Sequence, residues 1–318
     1  MNVSQRLTVI IDKRTQEANG IVTLDLVAKD DGTLPDFRAG AHIDVYIREG
    51  VTQQYLLCHR GINGDRYVIA VLLEPESRGG SRTMHALKTG DELSISEPRN
   101  HFSLVDSAAN YLLIAGGIGI MPILYMAEEL SAVGRAFQLH YCARLAECTA
   151  FRQHIEASAF AANVTFHYSG ANGEGRLDIA ATLAQAPPGT HLYVCASNIF
   201  MGHVIETARQ LGWSDERIHY EYFAADLELG GDDAAFTVHL ARSNQTIHVA
   251  SDQTVADALI NAGIEIPMSC EQGVCGTCLT TVLDGVPDHR DMYMTPDEQA
   301  RNDRFTPVVR AQRDRCLF

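Results

Sequence analysis

At 318 residues and 46% hydrophobic content, the chain is long enough for two or three domains with ordinary cores. Its net charge of −15 argues against nucleic acid as a partner. Met1 to Leu7 carries no apolar signal core, the apolar run Tyr111 to Ala127 is short and glycine-broken for a membrane span, and the eight cysteines lack disulfide-scaffold spacing, so a cytoplasmic protein with no membrane partner is expected.

The first third, residues 1–106, holds short β-type runs separated by Gly, Asp and Asn. They are Leu7–Ile11, Ile21–Leu26, His42–Ile47 and Tyr67–Leu73. Many short strands at this spacing predict a small antiparallel β-barrel. Arg78-Gly79-Gly80-Ser81 follows a strand and precedes the helical stretch Thr83–Leu87. Backbone amides, a serine hydroxyl and an arginine at such a place make either a phosphate cradle or a polar turn. Tyr55-Leu56-Leu57, in the strand Gln53–Cys58, stands upstream of it. Tyr55 either covers a flavin or simply packs.

The middle third, residues 107–226, reads as an α/β nucleotide-binding domain with a parallel sheet. Tyr111–Ala115 is a buried strand, and Gly116-Gly117-Ile118-Gly119 turns it into a helix with Pro122 in the first turn. A strand, glycine turn and helix can seat a pyrophosphate on amide groups, although this is not the GxGxxG pattern. Phe137–Cys142 is the next strand, and Arg144 lies just past its carboxyl end, facing either a cofactor phosphate or solvent. Val164–Tyr168 and His191–Cys195 follow. Cys195 is either a small buried thiol or a neighbour of a reacting nicotinamide. Ile218–Phe223 closes the domain, and Phe223 is either a core aromatic or a ring that stacks on flavin.

Residues 227–234 are acidic and glycine-bearing and read as a linker. In residues 235–318, Phe236–Leu240 and Gln245–Val249 form a hairpin, and Thr254–Ala262 forms a helix. Then comes Cys270-Glu271-Gln272-Gly273-Val274-Cys275-Gly276-Thr277-Cys278. The C-x4-C-x2-C spacing in a glycine-bearing loop opens the plant-type [2Fe–2S] pattern. Thiolates suit iron–sulfur centres, and the glycines let amide N–H groups turn toward sulfur. A zinc site would repeat a short CxxC-type pair, and no second pair is present. The only later thiol is Cys316, 37 residues beyond Cys278 by intervening count. Either Cys316 closes the site by an unusual path or the cluster lacks its fourth thiolate.

Flavin barrel, nicotinamide domain and C-terminal ferredoxin, in this order, resemble the phthalate dioxygenase reductase family, nearest its vanillate-type O-demethylase members. The marks are Arg78 to Ser81, Gly116 to Ile120, His140-Tyr141-Cys142, Cys270 to Cys278 and Asp288-His289-Arg290-Asp291. The resemblance implies FMN, NADH and one [2Fe–2S] cluster in a β-grasp plant-type ferredoxin domain. It also implies an electron-transfer reductase that serves a separate Rieske oxygenase one electron at a time. FMN would lie on Tyr55, Leu56, Leu57 and Arg78 to Ser81. The nucleotide would lie on Gly116, Gly117, Gly119, Pro122 and Arg144, with Cys195 and Phe223 bordering the nicotinamide.

The chain departs from that family in four places. Gln53-Gln54-Tyr55-Leu56 stands where the family reads Arg-x-Tyr-Ser, and Met121 stands where Thr precedes Pro. Cys195-Ala196-Ser197 stands for Cys-Gly-Pro, and Val308 stands at the fourth cluster ligand. Two other readings follow from these losses: a flavin- or nucleotide-binding protein with a degenerate ferredoxin domain, or a reductase for a non-Rieske acceptor.

Overall fold

The computed structural model describes residues 6–30, 32–48, 51–60, 65–74, 80–170, 175–222, 235–268, 273–274, 276–308 and 316–317. Residues Met1–Glu221 form one compact unit and Tyr222–Phe318 a second.

The first unit opens with the expected barrel. Its strands are β1 (Leu7–Ala18), β2 (Ile21–Ala28), β3 (Ala41–Arg48), β4 (Val51–Arg60), β5 (Tyr67–Leu72), β6 (Glu92–Ile95) and β7 (Arg99–Asn100), with helix α1 (Gly80–Ala86) between β5 and β6. The antiparallel order is β4-β5-β2-β1-β6-β3-β7, and an added β3–β4 pairing closes the sheet. Closure removes the free edges that a sheet of short strands would otherwise expose. Along β1, Val9 and Ile11 point into the core, while the polar continuation Lys13–Gln16 still pairs with β2. The strand therefore runs well past the expected Leu7–Ile11, because ladder bonds need no apolar side chains. β6 and β7 are too short to leave a periodic signal in the sequence.

The same unit continues as β8 (Asn110–Gly116), α2 (Ile120–Ala132), β9 (Ala136–Ala143), α3 (Arg152–Glu156), β10 (Val164–Tyr168), α4 (Ile179–Gln185), β11 (Thr190–Cys195), α5 (Asn198–Gln210) and β12 (Ile218–Tyr220). The five strands are parallel in the order β10-β9-β8-β11-β12. The chain moves one way from β8 to β10, then returns to the other side of β8. The crevice between the ends of β8 and β11 is thus the switch point where such sheets bind ligands. β8 over Tyr111–Ala115 and β11 over Leu192–Cys195 are continuous apolar, buried runs because helices cover the sheet.

Helix α2 packs on the barrel strand β4 as well as on its own sheet. Phe37 of the barrel meets Tyr125 of α2 at 5.3 Å between ring centroids. The Ala39 N–H donates to Glu129 Oε1 at 3.3 Å. At the exit from the barrel, the Val105 N–H donates to the Tyr193 hydroxyl and Tyr111 donates to the Val105 carbonyl, both at 2.8 Å. Barrel and parallel sheet are therefore joined by buried groups.

The second unit contains β13 (Phe236–Leu240), β14 (Gln245–Val249), α6 (Val255–Asn261), β15 (Thr280–Thr281), α7 (Pro296–Gln299), β16 (Arg304–Phe305) and β17 (Cys316–Leu317). β13 lies between antiparallel β14 and parallel β17, and β15 pairs with β16. Val238, Val249, Val255, Leu259, Val282 and Phe305 form its core. A capping box between Thr254 and Asp257 starts α6. β15 is two residues long, and Leu283 just beyond it is exposed. Among the described residues no helix is long and apolar enough to cross a membrane.

Three half-buried or buried histidines are held neutral. Burial, with Arg99 and His101 nearby, pushes His42 down to about 3. Burial and a neighbouring histidine push His140 and His219 down to about 4. Below about pH 6.5 the unfolded chain protonates these rings while the folded chain does not. Stability therefore falls as pH drops across that window. Urea midpoints measured from pH 7 to pH 4.5 should decline less steeply for His42→Leu than for the unaltered chain.

Two glycines give a paired test. A Cβ at Gly119 would strike the Cys195 carbonyl, whereas Gly202 in the middle of α5 has nothing within 4 Å. Gly119→Ala should cost roughly 1–3 kcal/mol through overpacking. Gly202→Ala should stabilise by about 0.5–1 kcal/mol through helix propensity. Denaturant melts of both variants check the opposite signs.

Candidate functional site

Strand β4 brings Tyr55, Leu56 and Leu57 to the wall between the barrel interior and α2. All three side chains are buried. The Tyr55 hydroxyl donates to Gln53 Oε1 at 2.6 Å, and burial raises its phenol well above the usual range. The Gln53 amide lies directly against the Cα of Gly80, in the space a side chain there would need. Ser81 is buried, and its hydroxyl accepts from the Glu74 N–H at 3.2 Å. Gln53, Tyr55, Gly80 and Ser81 therefore converge at the start of α1, which begins three residues earlier than the sequence predicts. Arg78 and Gly79 lie outside the described residues. The position of Gln53 against Gly80 was visible in the sequence only as a departure from the Arg-x-Tyr-Ser pattern.

At the switch point the glycine turn resolves into two kinds of residue. Gly116 is closed by the Ala196 side chain and Gly119 by the Cys195 carbonyl, so both are small in order to let the end of β11 approach. Gly117 is different: its φ is +55°, and nothing lies within 4 Å of a Cβ built there. Only this glycine of the three leaves open space for a ligand to reach backbone. Tyr141 donates to the Gly117 carbonyl at 3.1 Å and holds the turn, a contact that no local motif announces. Pro122 is buried in the first turn of α2, and the helix starts at Ile120, whose N–H is bonded back to the Gly117 and Ile118 carbonyls. Arg144 is exposed just beyond β9. These features fit a pyrophosphate on a helix start.

Cys195 ends β11 with no solvent exposure, and its thiol donates to the Glu221 carbonyl at 3.3 Å. Burial pushes the thiol well up. A protonated, enclosed thiol is inert as a nucleophile. Its contact instead anchors the segment that leads to Phe223, which lies outside the described residues.

In the second unit, Cys270 and Cys275 also lie outside the described residues. Cys278 is buried in a small apolar cluster with Ala256 and Val308, flanked by Ile266 and Met268. Cys316 stands in β17 with its backbone paired to Val238. The Met292 N–H donates to the Gly273 carbonyl at 3.0 Å, and the Tyr293 ring fills the space over Gly276. Buried Asp291 accepts from the Met294 N–H at 2.8 Å, a turn that holds Met292 and Tyr293, the two residues that touch the cysteine loop. Of the three cysteines in the loop, Cys278 alone is among the described residues, and it lies buried beside Val308.

A closed antiparallel barrel, a parallel nucleotide-binding sheet and a cysteine-loop module define a multidomain electron-transfer reductase. Residues 238–309 match the 2Fe-2S iron-sulfur cluster binding domain, and residues 95–218 match the N-terminal domain of the dimethylamine monooxygenase subunit DmmA-like family. The chain is 46% identical to the vanillate O-demethylase oxidoreductase of Pseudomonas sp. strain HR199 over 98% of both chains. It is 35% identical to the phthalate 4,5-dioxygenase reductase subunit of Pseudomonas putida over 90% of this chain and 88% of that one. Among solved structures, phthalate dioxygenase reductase, described as modular for electron transfer from pyridine nucleotides to [2Fe-2S], superposes with a TM-score of 0.79 at 32% identity, covering 98% of this chain and 97% of that one. An intact type IV self-sufficient cytochrome P450 monooxygenase gives 0.78 at 33% identity, covering 98% of this chain but 40% of that longer one.

The chain belongs to the family of vanillate O-demethylase oxidoreductase and phthalate dioxygenase reductase. It is an NADH-dependent flavin iron–sulfur oxidoreductase, of the kind that serves as reductase component to a separate oxygenase.

The buried thiols make one prediction for this site. Cys58 and Cys195 are fully enclosed, and burial raises both. In the native protein at pH 8, iodoacetamide should leave both unmodified while it labels the partly exposed Cys148. Peptide mass spectrometry before and after unfolding reads the difference.

Proposed function

We propose that this chain feeds electrons from NADH to a Rieske-type oxygenase of the O-demethylase kind in the cytoplasm. The observation that carries this reading is end-to-end similarity to vanillate O-demethylase oxidoreductase, at 46% over 98% of both chains. FMN supplies the conversion of a hydride into electrons released singly. No side chain need act as general acid or base in the hydride step.

The protein's part is positional. Tyr55 and Gln53, with Gly80, Ser81, Arg78 and Gly79, hold the flavin and its phosphate. The backbone along Leu56 and Leu57 forms the wall, since both side chains are turned into packing. Gly117, together with the start of α2, takes the pyrophosphate, and Arg144 is the cation beside it. Gly116 and Gly119 bring β8 and β11 close enough to form one crevice. Cys195 borders the nicotinamide as part of that crevice floor, and its bond to Glu221 steadies the approach to Phe223. A glutamine replaces a cation at the flavin, so Gln53→Arg should raise flavin retention about tenfold or more, in line with about 1.5–3 kcal/mol for a hydrogen bond to a charged group. Flavin fluorescence released on dilution measures this.

A second reading is a cytochrome-type acceptor, favoured by the 33% identity with the self-sufficient cytochrome P450 over 98% of this chain. Purified protein supplied with FMN should reduce ferricyanide with NADH. Coupled to a vanillate O-demethylase oxygenase, it should drive NADH-dependent loss of vanillate. Turnover with ferricyanide and a cytochrome acceptor, but none with the oxygenase, would replace the first reading with the second.

A further inference from the structure

The span that matches the cluster-binding domain, residues 238–309, contains three cysteines, Cys270, Cys275 and Cys278. A plant-type [2Fe–2S] centre is held by four thiolates. The tertiary structure shows what stands beside the third. Val308, 3% exposed, shares one buried cluster with Cys278 and Ala256. One strand ladder and one backbone hydrogen bond hold it there. β16 pairs with β15, setting Phe305 opposite Thr280 directly after the cysteine loop. The Ala256 N–H of α6 donates to the Pro307 carbonyl at 2.8 Å. A side chain with no donor atom is thus fixed in the wall of the cysteine site. The neighbouring Thr306 is fully buried, and its hydroxyl has no hydrogen-bond partner among the described residues.

Cys316 belongs to a different sheet from Phe305. Its backbone lies in β17, opposite Val238 of β13. The Val238 side chain belongs to the larger core of the unit and not to the cluster around Cys278.

We propose that the iron–sulfur site of this chain is a three-thiolate site, with Val308 filling the fourth corner and one iron left without a thiolate from the protein. The proposal rests on the iron–sulfur reading of the cysteine loop and is independent of the flavin reading. A centre with an open coordination position exchanges that ligand and sheds iron readily. The site is repaired by one substitution, Val308→Cys, whose thiol gives up its proton to become the fourth ligand.

The test compares the full chain, Val308→Cys and Cys316→Ser, each reconstituted anaerobically with iron and sulfide and desalted. Iron and acid-labile sulfide per chain are measured, followed by iron release to a ferrous chelator. The expected result is that the unaltered chain and Cys316→Ser behave alike. Both should release iron at least tenfold faster than Val308→Cys, which should hold two irons and two sulfides. The proposal is overturned if the unaltered chain retains two irons as firmly as Val308→Cys. It is equally overturned if Cys316→Ser alone loses them, or if Val308→Cys gains nothing. Flavin per chain and far-UV circular dichroism verify folding of each variant. If flavin and NADH-dependent ferricyanide reduction are absent throughout, the electron-transfer reading fails, while the iron measurements still decide the ligand question.

Discussion

The approach of Gly119 to the backbone of Cys195 is the constraint on which the first unit depends. No side chain can stand between them, so β8 and β11 end side by side and their loops share one crevice. That approach also sets where α2 begins. Helix α2 in turn lies on β4, the strand that carries Tyr55. Helix α2 thereby joins a barrel strand to the nucleotide turn from which the helix starts. Hydride transfer needs its two partners within contact distance, and rigid packing of this kind supplies the placement before any cofactor arrives.

Two kinds of glycine share one short motif. Gly116 and Gly119 are small for the protein's own sake, and Gly117 is left open to solvent with a left-handed backbone. A reading that assigns all three to a ligand overstates the binding surface. The same distinction applies to cysteine. Cys195 sits where a reactive thiol would be useful, yet it is enclosed, protonated and bonded to a carbonyl. Its value is structural support at a functional edge.

On the three-thiolate proposal, the ferredoxin-like unit keeps its scaffold while its ligand set is altered. The hairpin, the capped helix and the core around Val238, Leu259 and Phe305 are in place. Tyr293 and the Met292 amide contact the cysteine loop. The proposed change lies in the stretch after β16, where the alkyl group of Val308 is buried beside Cys278. Thiol and isopropyl groups have similar apolar volume, so the fold tolerates the exchange that metal coordination would not.

Strand positions with strong β-branched or aromatic runs were legible in the sequence. Phe236–Leu240, Gln245–Val249 and Val164–Tyr168 occur where their patterns put them. So did the glycine turn and the cysteine spacing, because each is a local pattern with a local cause. β6, β7 and the polar half of β1 were hidden, since short or polar strands exist only through partners distant in sequence. The convergence of Gln53 on Gly80, the bond from Tyr141 to Gly117 and the burial of Val308 against Cys278 were likewise decided by tertiary structure. The order of residues dictated which chemistries the chain carries, because motif and propensity act over a few residues. Which of those residues face a ligand, and which face each other, was settled only when ladders and helices brought remote segments into contact.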